Sequence, residues 1–193
     1  MNRHKAIENT IIKIIQFIGE NPNRPGLIDT PKRIIKMYEE IFRGYNEKQK
    51  PLITIFENHK DGVRSTGILR DNGYFFSFCE HHMLPFFGNY WYGYIPDKLI
   101  MGASKIARTV DYYAAKLQIA ERLCYDIIEE IEEQIKPKGS ILIMNARHLC
   151  KEMRGVKKIN SPYEVSEVRG VFLKNIGNCK NEFLSRITKS KQT

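Results

Sequence analysis

Two short clusters of cysteine and histidine, set far apart in the chain, place the strongest constraint on how this sequence can fold. The first reads CEHH and runs from Cys79 to His82, and the second reads HLC and runs from His148 to Cys150. Zinc prefers thiolate and imidazole ligands, and a Cys and a His three positions apart can reach one ion from a single turn. A fold that uses both clusters on one ion must bring these segments together.

We interpret Cys79, His82 and Cys150 as the ligands of one metal ion. Three protein ligands leave a fourth position for water, which is the arrangement of a catalytic zinc rather than a structural one. His81 and His148 then remain as free imidazoles for proton transfer. Cys150 follows the apolar run SILIMNA, so we expect it to share a strand face with His148.

An alternative for these cysteines is a structural one, because a buried Cys usually serves as a small apolar side chain. Clustering favours the metal, since three of the five histidines and two of the four cysteines fall in these segments. The N-terminus lacks the pattern of a signal peptide, and no apolar run reaches the length of a membrane span. We therefore expect a cytoplasmic protein with reduced thiols.

The net charge of +9 points to an anionic partner. Most Lys and Arg residues are interleaved with acidic ones, and the one dense basic segment is KEMRGVKK, from Lys151 to Lys158. A segment this short suits a phosphorylated small molecule. A nucleic-acid-binding module is a rival that we do not favour, because the basic residues form no stripe interleaved with aromatic ones.

The apolar pattern predicts an N-terminal helical module over residues 1–50 and a second, catalytic domain over residues 51–193. Residues 5–18 place Ile7, Ile11, Ile14, Ile15 and Ile18 on one helical face. A second helix should begin with Thr30 as its cap and Pro31 in its first turn, and should end at Gly44.

The second domain reads as an α+β fold. LITIFE, YFFSF and YWYGYIP are predicted strands, and Pro96 stops the third. Helices follow over residues 104–116 and from about Ile119, where Leu123, Ile127 and Ile131 recur every four positions. SILIMNA and RGVFLKN are predicted to be the last strands. Strands and helices in separate runs favour an antiparallel sheet with two helices on one face.

Several segments in order resemble the GTP cyclohydrolase I family: CEHHMLPFFG, YIP, GASKIAR, LQIAERL, HLC and MRGV. The resemblance extends from about residue 6 to residue 187 and includes NPNRPGLIDTPKRIIKMYEEIFRGY near the N-terminus. It implies a tunnelling fold, a homo-oligomer that is typically a decamer, and a bound Zn2+. It also implies that GTP is hydrolysed at C8 of its imidazole ring, with release of formate and formation of 7,8-dihydroneopterin triphosphate. Folate, biopterin-like and deazapurine pathways all branch from that product.

The resemblance also implies roles for individual residues. Cys79, His82 and Cys150 match the zinc ligands, and His81 and His148 match the acid–base pair. Ser104 and Lys105 match the family's Ser-Lys pair, with Ser104 on the catalytic side and Lys105 on the triphosphate. Lys36, Arg108 and Arg154 match the other triphosphate ligands, and Glu121 matches the carboxylate that reads guanine N1 and N2. Taken alone, each of these cations could be a solvated surface charge, and Glu121 an ordinary helix-surface carboxylate.

The sequence departs from the family pattern near the base. Ala120 stands where the family usually has Gln, and the segment VSEVRG carries Glu167 and Arg169 in place of small polar and apolar residues. The loop segment RDNGYFFSF is one residue longer than is common. We expect ring-opening chemistry to be retained. The alternatives are the same chemistry on a different or modified purine nucleotide, or a zinc-holding nucleotide-binding protein without turnover.

Overall fold

The computed structural model describes residues 3–190. Its helices are α1 (Arg3–Phe17), α2 (Thr30–Ile41), α3 (Ser104–Ala114), α4 (Ala120–Ile135), α5 (Leu149–Glu152), α6 (Gly170–Leu173) and α7 (Cys179–Ser190). Its strands are β1 (Ile55–Glu57), β2 (Leu69–Cys79), β3 (Pro85–Ile95), β4 (Leu99–Met101), β5 (Leu117–Gln118), β6 (Gly139–His148) and β7 (Tyr163–Val168). The α+β class predicted from the order of the elements is confirmed.

A five-stranded sheet in the order β5-β2-β3-β6-β7 forms the centre of the fold. The long strands pair antiparallel, as predicted, but β5 pairs parallel with the end of β2. β3 lies between β2 and β6, and its residue Phe86 pairs with Ser77 on one side and with His148 on the other. The sheet thereby brings the last residues of β2, with Cys79, and the last residues of β6, with His148, to the same end of the sheet.

Helices α3 and α4 cover one face of the sheet and enclose the main core. Leu123, Ile127 and Ile131 of α4 are fully buried, as their spacing predicts, and they share one apolar cluster with Tyr92 of β3 and Leu142 of β6. Because side chains alternate along a strand, every second residue of β3 and β6 enters this core. The expected two helices on one face are therefore present.

The opposite face of the sheet is covered by α6 and α7, which the sequence analysis did not predict. Phe172 and Phe183 are buried there against Trp91. Gly93 leaves room for this contact, because a Cβ at that position would lie 2.6 Å from the Phe183 ring. The segment RGVFLKN is a helix rather than the last strand. A short apolar run does not distinguish the two by periodicity.

The N-terminal helices α1 and α2 pack through Ile11, Ile15 and Ile35. The predicted apolar face of α1 is only partly buried, because Ile14 and Ile18 are exposed. Pro31 lies in the first turn of α2 as predicted, but Thr30 is the first helical residue rather than a side-chain cap. Among the described residues, no helix is long and apolar enough to cross a membrane.

Candidate metal centre

A tight turn between β2 and β3 folds His82 back onto Cys79. The Met83 amide donates to the Cys79 carbonyl at 2.7 Å, and the Cys79 amide donates to the Leu84 carbonyl at 2.9 Å. Met83 takes a φ of 54°, in the left-handed region, to close this turn. The result is a distance of 3.6 Å between the Cys79 sulfur and Nδ1 of His82.

Cys150 reaches the same place from β6, but not in the way the sequence predicts. Strand β6 ends at His148, and Cys150 lies in the short helix α5, so the two do not share a strand face. The ligand atoms of Cys79, His82 and Cys150 nevertheless all lie within 4.8 Å of one another. Two thiols and an imidazole at this spacing fit the donor set that zinc prefers.

The charge balance of this cluster also suits a cation. Burial raises the pKa of the Cys150 thiol, and the nearby Cys79 sulfur raises it further. Two thiolates side by side repel each other, and a bound cation would relieve that repulsion.

A cavity of about 340 Å³ opens beside the three candidate ligands. The polar side chains that line it include those of His81, His148, Glu121, Lys151 and Tyr163. Phe86, Ile119 and Ala120 supply apolar walls. A pocket with apolar walls and a few polar groups is the usual form of a small-molecule site.

His148 is held firmly at the inner wall of this cavity. Its ring stacks on Phe86, with centroids 4.8 Å apart and planes within 1°. Its Nδ1 lies 3.3 Å from the Ala146 carbonyl, which can only accept, so Nδ1 carries the proton in this contact. Burial is the main cause that lowers the pKa of His148, which favours the neutral imidazole.

His81 is more exposed and lies beside the candidate ligands, with Nδ1 at 3.7 Å from the Cys79 sulfur. Its neighbour Glu80 forms an ion pair with Arg122 of α4. That ion pair lowers the pKa of Glu80 and ties the turn to the helix. The turn that carries His81 and His82 is therefore fixed to α4.

Glu121 lies in the first turn of α4 and faces the same cavity. Tyr163, the first residue of β7, donates its phenol hydrogen to Glu121 Oε1 at 2.7 Å. Tyr163 is not among the site residues predicted from the sequence. An aromatic residue in a predicted loop or strand carries no signal of this role, which depends on where β7 and α4 meet.

The sequence of the whole chain places it among known proteins. Residues 7–188 match the profile of the family described as GTP cyclohydrolase I. The chain belongs to the GTP cyclohydrolase I family. It is 42% identical over 183 residues to "GTP cyclohydrolase 1" of Wolinella succinogenes, which covers 94% of this chain and 96% of that protein. It is 43% identical over 190 residues to "GTP cyclohydrolase 1" of Campylobacter jejuni serotype O:6, which covers 97% of each. The predicted resemblance, and with it the tunnelling type of α+β fold, is confirmed.

The segment RDNGYFFSF, expected to be a loop, is part of strand β2. The other two departures of this chain from the GTP cyclohydrolase I pattern fall in different places. Ala120 is buried and lines the cavity, so this departure adjoins the candidate site. Arg169 instead pairs with Glu167 and with Glu129 of α4. Glu167 lies opposite Leu142 on β6, about 20 Å from the His148 end of that strand. The two unusual charges therefore neutralise each other in a structural contact away from the cavity.

Arg154 lies next to the candidate ligands, with its guanidinium 2.9 Å from Nε2 of His82. A guanidinium only donates, so this contact uses the Nε2 lone pair and leaves the His82 proton on Nδ1. A metal ion bound through Nδ1 would require the opposite tautomer. Arg154 would then have to release His82, and its guanidinium would become available to bind an anion.

The remaining predicted residues of this GTP cyclohydrolase I family member lie outside its own cavity. The C-terminal end of α3 leads into β5, which pairs with Cys79, so Ser104 and Lys105 lie at the far end of that helix. Eleven residues at the usual helical rise place Ser104 about 15 Å further along the axis. Arg108 lines a separate depression with Arg43, and Lys36 is exposed on α2.

Proposed function

We propose that this protein is a zinc-dependent GTP cyclohydrolase I. It would open the imidazole ring of GTP by hydrolysis at C8, release formate and give 7,8-dihydroneopterin triphosphate. The observation that carries the proposal is the convergence of Cys79, His82 and Cys150 within 4.8 Å, at a cavity that His81 and His148 also line. A purely structural zinc site needs neither of these two histidines.

The metal ligands in this proposal are Cys79, His82 and Cys150. A zinc ion bound by three protein ligands supplies a Lewis acid that activates water at neutral pH. The turn after β2 and the short helix α5 hold the thiols in position. Thiol ligands must stay reduced, which supports a cytoplasmic setting for the reaction.

The two histidines outside the ligand set would move protons during ring opening. The Ala146 carbonyl holds the proton of His148 on Nδ1, so Nε2 keeps a lone pair and can accept a proton. Stacking on Phe86 keeps that nitrogen in one orientation. His81, whose Nδ1 lies 3.7 Å from the Cys79 sulfur, can then act as the partner that donates a proton to the opening purine.

Glu121 would read the guanine edge. A carboxylate offers two oxygens to the N1 and N2 hydrogens of guanine, which point in the same direction. Glu121 and two of the candidate ligands, Cys79 and Cys150, line the same cavity, so a guanine bound by Glu121 would lie in the cavity that adjoins the metal site. The buried methyl of Ala120 supplies no hydrogen bond, so a purine with a changed base edge remains a second candidate substrate.

At this cavity one copy of the chain supplies Lys151 and Arg154, but not the other cations that the triphosphate would require. Arg154 lies at the metal end, whereas Lys105 and Arg108 lie on α3 and Lys36 lies on α2. We propose that a neighbouring copy provides Ser104, Lys105, Arg108 and Lys36 in a homo-oligomer, with a decamer as the expected size. A helix N-terminus beside Lys105 would add to the attraction for phosphate.

Assays with zinc-loaded protein and GTP would test the proposal through two products, formate and a pterin that fluoresces after oxidation. His148→Ala should lower turnover by at least about 100-fold, because general acid–base catalysis contributes that much. The variant should still bind zinc, because His148 is outside the ligand set. The absence of both products from the unaltered protein, or full activity of the variant, would contradict the proposal.

A panel of purine triphosphates in the same assay addresses the second candidate substrate. If GTP is the substrate, it should have the highest kcat/KM. A modified purine that exceeds GTP would instead favour the alternative, with the same metal site and the same histidines.

A further inference from the structure

Tyr163 connects two walls of the cavity that belong to different parts of the fold. Its phenol hydrogen bonds to Glu121 Oε1 at 2.7 Å, at the start of α4. Its ring packs edge-on against the ring of His148 at the end of β6, with centroids 5.9 Å apart. One side chain thus touches both the carboxylate on one wall and the imidazole on the other.

Several contacts fix the position of Tyr163. Lys151 donates to both the carbonyl and the hydroxyl of Ser161, at 2.9 Å and 2.8 Å. Pro162 follows and restricts the backbone directly before Tyr163. Tyr163 then begins β7 and pairs with Ala146 of β6. Although the Tyr163 side chain is 45% exposed, its backbone is held on both sides.

Glu121 needs such a partner, because it lies on the surface of α4 in the first helical turn, where a free glutamate samples several rotamers. Its neighbour on the cavity wall, Ala120, offers only a methyl group. An ionised carboxylate accepts about four hydrogen bonds, so the phenol leaves both oxygens able to accept from a ligand. The bond therefore orients the carboxylate without blocking it.

We propose that Tyr163 is a positioning residue that sets the base preference of this cavity by fixing the Glu121 carboxylate. The inference rests on the proposed function, in which Glu121 reads two adjacent N–H groups of guanine. Two-point recognition depends on the rotation of the carboxylate, whereas a single hydrogen bond tolerates a rotated one. Loss of the Tyr163 hydroxyl should therefore weaken the binding of guanine more than the binding of hypoxanthine, which lacks the 2-amino group.

Tyr163→Phe tests this by removing only the hydroxyl, with GTP and inosine triphosphate as the two substrates. We expect KM for GTP to rise about tenfold, as for loss of a hydrogen bond to a charged group. KM for inosine triphosphate and both kcat values should change little. Zinc content and the midpoint of thermal unfolding should stay unchanged, because the ring and its contact with His148 remain.

Tyr125→Phe is the matched control, because Tyr125 is a tyrosine of α4 that is 48% exposed and lies outside the cavity, beneath Arg169. It should leave the preference for GTP intact. Equal losses for both nucleotides in Tyr163→Phe, or an unchanged preference, would overturn the inference.

Dissociation constants can be measured whether or not the protein turns over either nucleotide. They therefore test the role of Tyr163 independently of the proposed function. Equilibrium dialysis measures the dissociation constants of GTP and inosine triphosphate for the His81→Ala variant, which is chosen to prevent turnover. Adding Tyr163→Phe to this variant should reduce its preference for GTP over inosine triphosphate. If the unaltered protein opens neither nucleotide, the proposed function fails, and these constants still decide whether Tyr163 controls base preference.

Discussion

At the scale of single residues, the environment of His148 determines how the site should respond to pH. Burial against Phe86 lowers the pKa of its imidazole below the ordinary value of 6.5. A cation held by Cys79, His82 and Cys150 would act in the same direction, because it opposes a second positive charge nearby. Both effects keep His148 neutral, with a free lone pair, at physiological pH.

We therefore predict that the acidic limb of kcat/KM lies below pH 6.5. As pH falls through the pKa of His148, the imidazole becomes cationic and can no longer accept a proton, so activity is lost there. A pH–rate profile on zinc-loaded protein measures the limb. Metal analysis at each acidic pH separates this loss from release of zinc, and a limb above pH 6.5 with zinc still bound would contradict the assignment.

At the residue scale, the sequence predicts contacts that depend only on a short stretch of chain. Cys79 and His82 lie three positions apart, and one turn of chain is enough to bring them together. The hydrogen bond between Tyr163 and Glu121 could not be predicted from the sequence, because it depends on the register of β7 against β6 and on the position of α4. Cys150 lies near Cys79 and His82, as the sequence predicts, but in a short helix rather than in the predicted strand.

At the scale of elements, α7 covers the face of the sheet for which no covering helix was predicted. Phe183 is 1% exposed and packs edge-on against Phe172, with ring centroids 6.2 Å apart. We predict that Phe183→Ala lowers the free energy of unfolding by about 3–5 kcal/mol, as for other buried Phe truncations. Urea denaturation followed by circular dichroism measures the change.

Leu184→Ala is the control on the same helix, because Leu184 is 37% exposed. It should cost well under half as much as Phe183→Ala. Equal costs for the two variants would mean that α7 does not pack on the sheet as described.

The elements that could be predicted are those with a strong period or a clear stop. The four-residue spacing of Leu123, Ile127 and Ile131 identified α4, and Pro96 marked the end of β3. Strand β5 has two residues and pairs parallel, and no pattern of that length distinguishes it from a loop. The division into residues 1–50 and 51–193 stays a prediction.

At the scale of the whole molecule, the sheet has open edges, and three of the predicted triphosphate ligands, Lys36, Lys105 and Arg108, lie away from the cavity. On the β5 side, only Phe78 and Cys79 of β2 have a strand partner in the described structure, so residues 69–77 present an unpaired edge. Strand β7 forms the other edge of the sheet. Unpaired edges are ready to pair with another chain, and two of them suit a closed ring of identical copies.

Complementation between two inactive variants tests whether neighbouring copies share a site. If Lys105 acts on the cavity of the next copy, Lys105→Ala and His148→Ala chains mixed at random should rebuild about a quarter of the sites, each with an intact half from either chain. The activity of co-expressed and co-purified chains, per zinc bound, measures the recovery. His81→Ala mixed with His148→Ala is the control, because both residues line one cavity of one chain and no mixing can restore it. Recovery in the first pair and none in the second is the expected outcome, and equal inactivity of both pairs would place the triphosphate ligands within a single copy.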